Sequence, residues 1–192
     1  NPHMGMDGGL SFYEAHLHSD EGLNIEGALF QGTSSVNMGA NENLAWGMTW
    51  NHFDRLDVYK LKMVNENKMT YELDGEELKL EKRPVWLKVG LGKHHRFVVR
   101  VRKMTYWSKY GCTIKSDNGN DFYSLRFPGD QSVRGAEQLY KMNKAKNYSE
   151  FREALNIHAI VLFNVVYGDK DNNIFYLEHG TLPDRDTTYD WH

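Results

Sequence analysis

GANENLAWGMTWNHFDRLDVY, Gly39 to Tyr59, is the stretch on which the reading of the fold turns. Met38, Ala40, Leu44 and Trp46 flank the Asn-Glu-Asn turn Asn41 to Asn43, the pattern of a tight β-hairpin with largely buried strands. A polar loop follows, Asn51 to Asp57, with Asp54 and Asp57 three residues apart in a segment too short and too irregular in period for a helix. Two carboxylates beside an apolar hairpin are costly to desolvate unless a cation or ordered donors neutralise them, so the loop is a candidate hard-cation site.

Composition bounds the answer without choosing it. The chain has 192 residues, enough for one domain or a piece of a larger one, and is 40% apolar. Its 13% aromatic content, with 5 Trp and 11 Tyr, favours a strand-rich core over disorder. A net charge of -3 argues against a nucleic-acid surface. A single cysteine, Cys112, excludes an internal disulfide, and it reads as a packed thiol because the sequence places no base beside it. There is no signal-peptide pattern and no apolar run of membrane-spanning length, so neither a nucleic-acid nor a membrane partner is expected.

Outward from the central hairpin, two strands are expected inside the sheet, around Leu10 to Leu17 and Gly22 to Phe30, joined through Ser19-Asp20-Glu21. His16 and His18 fall on one face of the first, a metal pair lacking a third ligand nearby and better read as satisfied or exposed histidines. Asp74-Gly75 signals a type I′ hairpin, and Gly90 to Gly92 separates two runs, Val85 to Val89 and Arg96 to Val101, as a second. Charges there, among them Lys82, Lys88, Arg100 and Arg102, alternate with apolar residues and read as a solvated sheet face, with a polyanion site as the alternative. Helical spacing first arises near 132–156, with Ser132 and Ser149 as caps. His158 to Val166 is an apolar run of strand length, answered by Ile174 to Leu177. Asp169-x-Asp171-x-Asn173 imitates the opening of a calcium loop but lacks its later Gly and Glu, so it reads as a hairpin turn.

Several of these segments together resemble the penicillin acylase family, N-terminal-nucleophile amidohydrolases that include acyl-homoserine-lactone acylases. LAWGMT, Leu44 to Thr49, with Asp54-x-x-Asp57 is similar to that family's AWG-x-T…D-x-x-D segment. Asn1-Pro2-His3, Ser11 to Leu17, GALFQG from Gly27 to Gly32, Tyr110-Gly111 and Asn164 to Arg185 match further segments in the family's order. The resemblance implies an α+β fold, a mostly antiparallel sheet with a helical segment near 132–156, part of an αββα sandwich. It also implies a self-processing enzyme whose chain-terminal Ser attacks an amide carbonyl with its own α-amine as base. By match, the main-chain N–H of Trp50 and the side-chain amide of Asn164 hold the oxyanion, Arg185 orients that Asn and the nucleophile's amine, and His3 lies beside the nucleophile. Met4, Phe30, Met48 and Trp50 are placed around an acyl pocket. Asp54, Asp57 and the carbonyl of Leu56 match the ligands of a structural Ca²⁺.

Residues 1–192 are therefore expected to be one internal portion of the catalytic β-subunit, lacking the nucleophile and the α-subunit and inactive by itself. The parent is expected to hydrolyse an N-acyl amide such as penicillin or an acyl-homoserine lactone, in the periplasm or outside the cell. Self-association through exposed edges is the expected behaviour of the piece. The competing reading is a binding or structural β-domain that retains the family outline without its chemistry.

Overall fold

The computed structural model describes residues 5, 7–9, 11–64, 69–92, 94, 97–130 and 132–191. The chain folds into two compact units: residues 1–54 with 131–192, and residues 55–130. No described helix is long and apolar enough to cross a membrane.

The first unit is a six-stranded antiparallel sheet backed by two helices. Its strands are β1 (Phe12–Ser19), β2 (Leu23–Phe30), β3 (Met38–Ala40), β4 (Leu44–Trp50), β13 (Phe163–Asp169) and β14 (Ile174–Glu178), in that spatial order. Helices α1 (Gly135–Lys144) and α2 (Tyr148–Leu155) cover one face. Leu44, Trp46 and Met48 alternate onto that face with Val165 and Tyr167, and Met142, Phe151, Ala154 and Leu155 close over them. The opposite face carries Ala45, Thr49, Asn164 and Val166 and lies open: Val166 is 50% exposed and Tyr176 58%. The β3–β4 strands are thus buried on one face only, rather than largely buried throughout.

Buried carboxamides fasten α1 to the sheet. Asn143 accepts from the Val36 N–H and donates to the Val36 carbonyl, both at 2.8 Å. Asn41, in the β3–β4 turn, caps Asn43 and Leu44 through Oδ1 and donates through Nδ2 to the Ala145 carbonyl at 2.9 Å. Val36 lies against the cross-strand pair Gly27 and Gly39, where a Cβ on Gly39 would fall 2.2 Å from the Glu26 carbonyl. Only glycine permits that approach.

Local chemistry accounts for the differences from the expected elements. β1 forms the edge of the described sheet, not its interior, and His16 on it bonds Asn24 (2.7 Å). Arg134, with no side-chain cap bond, begins α1 in place of Ser132. Asn147, two residues before Ser149, caps α2 because its carboxamide oxygen accepts the Glu150 N–H (3.0 Å), while Glu150 reaches back to Lys146. The run from His158 becomes strand only at Phe163: Ile157 and His158 still bond back to the last turn of α2, and a side chain takes the next two amides. Asp169 accepts from Asp171 and Asn173 main-chain N–H groups, the hairpin turn expected there.

The second unit holds a five-stranded sheet, in the order β5 (Asp57–Lys60), β12 (Phe122–Arg126), β11 (Gly111–Lys115), β10 (Phe97–Ser108) and β9 (Glu81–Leu91). A three-stranded meander, β6 (Lys62–Met63), β7 (Thr70–Leu73) and β8 (Glu76–Lys79), accompanies it, and Leu61, Tyr71, Leu80 and Phe122 form the core. Asp74 and Gly75 have φ of 51° and 83°, as a type I′ turn requires. The β9–β10 ribbon departs from expectation. Lys88 pairs with Arg100 and Trp86 with Arg102 on one face, as a solvated face should read, but Leu87–Val101, Val89–Val99 and Leu91–Phe97 on the other face are exposed as well.

An apolar face of this length in water favours association. The isolated 192-residue chain is expected to elute in size-exclusion chromatography above its 22.4 kDa monomer mass, and Leu87→Lys with Val99→Lys to shift it towards monomer. A clean monomer at all concentrations would contradict this.

Candidate functional site

Strands β4 and β13 bring the two halves of the motif set together. Their register pairs Phe163 with Trp50 and Asn164 with Thr49, residues from opposite ends of the sequence. Asn51 donates its main-chain N–H to the Leu162 carbonyl at 3.1 Å, just beyond the ladder. Because antiparallel bonds alternate, Trp50 occupies a non-hydrogen-bonded pair and turns its N–H to the side of β4 away from β13. Its indole meets the Phe163 ring edge-on, centroids 5.9 Å apart.

Asn164 projects from the open face. Its Nδ2 donates to Thr49 Oγ1 at 3.1 Å, and its Oδ1 is buried with no partner among the described residues. The carboxamide therefore lies across β4 at the residue preceding Trp50. A polar donor held against a strand end in this way can receive a developing negative charge.

Other residues expected at the site fall elsewhere. Among the described residues the Asn164 carboxamide oxygen accepts no hydrogen bond from Arg185, whose Nη1 donates to Asp54 Oδ2 at 2.9 Å and whose guanidinium lies over the Trp191 ring. The pairing with Asp54, whose own side chain is half exposed, offsets part of the desolvation of a largely buried guanidinium. Met48 is 4% exposed and packed under the helices, on the same face as the Trp50 ring, whereas Phe30 stacks on Phe12 (centroids 4.3 Å) on the other face. These three cannot line one pocket across a hydrogen-bonded sheet. His3 and Met4 lie outside the described residues.

Two carboxylates and a carbonyl are suitable donor types for Ca²⁺. Asp54 already pairs with Arg185, so an ion there has to displace or share with the guanidinium, while Asp57 is buried at the start of β5 and Leu56 is 53% exposed. Among the described residues, no group of three or more His, Cys, Asp or Glu side chains converges.

A buried polar network that the sequence did not single out braces the ends of β4 and β13. Asn51 donates through Nδ2 to the His179 carbonyl at 3.0 Å, and the His179 N–H bonds the Phe163 carbonyl at 3.1 Å. The His179 ring meets Gln138 of α1 at 3.1 Å, and Gln138 Oε1 accepts from Ala159 and Ile160 at 2.7 and 3.0 Å. Gln138 is fully buried and His179 is 3% exposed. Burial, reinforced by electrostatic interaction with the neighbouring His158 and Arg152 side chains, pushes the His179 imidazole down to about 4, so it is neutral at pH 7. Gln138 within an otherwise amphipathic helix was the one available signal, since a polar residue at an inward position must find partners.

The fold is that of a penicillin acylase. A thermostable penicillin G acylase from Alcaligenes faecalis superposes with a TM-score of 0.78 over 93% of this chain and 31% of its own, at 24% identity. The sequence profile of the penicillin amidase family matches residues 1–191, and the chain belongs to that family. It is 31% identical over 193 residues to the acyl-homoserine lactone acylase PvdQ of Pseudomonas fluorescens, and 23% identical over 189 residues to aculeacin-A acylase of Actinoplanes utahensis. These alignments cover 97% and 95% of this chain but 25% and 23% of the relatives, so the chain spans about a quarter of their length.

The His179 network sets a pH dependence. An imidazole at about 4 when folded and near 6.5 when unfolded costs nothing above pH 6.5, and stability is lost as pH falls from there towards 4. The loss approaches about 3 kcal/mol. Urea unfolding between pH 7.5 and 4 should show wild type losing more stability than His179→Gln; parallel curves would contradict the assignment.

Proposed function

We propose that residues 1–192 supply the charge-stabilising part of an acylase that hydrolyses N-acyl amides, of which penicillins and acyl-homoserine lactones are the chemical types. The observation supporting this is the placement of the Asn164 carboxamide against Thr49, directly before Trp50. In the proposed reaction a hydroxyl nucleophile adds to the amide carbonyl, and the carbonyl oxygen becomes the oxyanion of a tetrahedral intermediate. Asn164 Nδ2 and the Trp50 N–H donate to that oxygen, an interaction stronger with the oxyanion than with the neutral carbonyl and therefore catalytic. The intermediate collapses with loss of the amine, and water then releases the acyl group from the nucleophile. No residue among 1–192 is assigned the nucleophile, and the 192-residue chain alone is inactive in this reading.

His3, which lies outside the described residues, is assigned a place beside the attacking group by the family resemblance alone. Arg185 enters as the partner of Asp54 rather than of Asn164. Phe30 and Phe12, stacked on the open face, are the described aromatic wall that an acyl chain on that face would meet. The polypeptide that completes the site includes an α-subunit, and a periplasmic or secreted location belongs to the same proposal; both are supported by the family resemblance alone. A structural Ca²⁺ at Asp54, Asp57 and the Leu56 carbonyl is supported by the donor types.

Two measurements test the reading. In the full-length acylase that carries this chain, Asn164→Ala should lower kcat about 100- to 1000-fold towards N-acyl substrates, with self-cleavage intact by mass spectrometry; activity near wild type would refute it. Calorimetric titration with Ca²⁺ should give binding that Asp57→Asn abolishes, and heat indistinguishable from dilution would remove the metal.

A further inference from the structure

We infer that Thr49 is a positioning residue: its hydroxyl sets which way the Asn164 carboxamide points, and with it the donor that the proposed reaction uses. The inference rests on the reading of Asn164 given above. A carboxamide turns about a broad, two-fold torsion, so its direction is fixed by what its two ends bond. Here one end is silent, since Oδ1 has no partner among the described residues. The other end is held by Thr49 Oγ1 at 3.1 Å.

Thr49 is suited to the task. It sits directly opposite Asn164 in the ladder, where the two side chains share one face of the sheet within hydrogen-bond reach, and its β-branched χ1 is stiff. Its neighbours along the same face of β4 are Ala45 and Gly47, neither of which has a polar side chain to offer instead. With one Nδ2 hydrogen committed to the Thr49 oxygen, the second is directed away from that bond and stays available to a ligand. Without the hydroxyl, nothing described on this face distinguishes Nδ2 from Oδ1, and half of the rotor's orientations present an acceptor to the oxyanion.

The test compares Thr49→Val, Thr49→Ser and Asn164→Ala in the full-length acylase, with kcat and KM measured separately. Valine preserves shape and strand preference while removing the acceptor. Thr49→Val should lower kcat about tenfold or more with KM within about twofold, because the lost interaction belongs to the transition state. Thr49→Ser should return kcat to within about threefold of wild type. A second readout, the Asn164 side-chain amide signals in ¹H–¹⁵N spectra, should shift in the valine variant and be restored in the serine variant whatever the activity. If Asn164→Ala is inactive while Thr49→Val matches wild type, the positioning role falls and the function stands. If Asn164→Ala retains activity, the reading of function falls and takes this role with it. A serine variant as impaired as the valine variant would also overturn the inference.

Discussion

The pairing of β4 with β13 is the constraint on which the first unit depends. Thr49 and Asn164 are 115 residues apart in the chain, and closing a loop of that length costs about 4 kcal/mol in chain entropy, before side chains are ordered. Individual hydrogen bonds of about 1 kcal/mol do not offset this alone. The compensation comes from the helix-covered face, where Trp46, Met48, Val165, Tyr167 and Phe151 are almost wholly removed from water, and from long-range bonds such as Asn51 to His179 and Asn143 to Val36. Register is then over-determined, because a slip of one residue would turn those apolar side chains out to the open face.

The same division of labour separates stability from chemistry. One face of the sheet is dry and carries the core. The other carries Asn164, bonded to the Thr49 hydroxyl, and the Phe12–Phe30 stack. Neutral groups do the bracing at the strand ends: Gln138, Asn51 and an uncharged His179 satisfy each other without an ion pair. A donor held by such a frame reorganises little when negative charge develops beside it, which is the physical content of a preorganised site.

Much of this was legible in the residues. The Asn41–Asn43 turn, the Asp74-Gly75 hairpin and the Asp169 turn rest on local chemistry that sequence displays, whereas the convergence of the Trp50 and Asn164 segments was implied by the family resemblance alone. What was not legible was decided by tertiary competition. Gln138 claims the amides of Ala159 and Ile160 and so delays a strand that apolar content alone would start at His158. Asn147 wins the cap of α2 over Ser149 because Glu150 completes a reciprocal pair from it. Met48 and Phe30 share an apolar character that says nothing about which side of a sheet each occupies, and only the ladder sets them on opposite faces. Arg185 found Asp54 rather than Asn164, a choice between two acceptors that spacing does not encode.

The central claim is that the main-chain amide of Trp50 and the carboxamide of Asn164 serve a single negative oxygen. The most direct measurement is a crystal structure of the full-length acylase with a phosphonate analogue of the tetrahedral intermediate. The account predicts one phosphoryl oxygen at about 2.7–3.1 Å from both Trp50 N and Asn164 Nδ2. An analogue bound with its oxygen directed at other donors, and these two groups left to water, would contradict it.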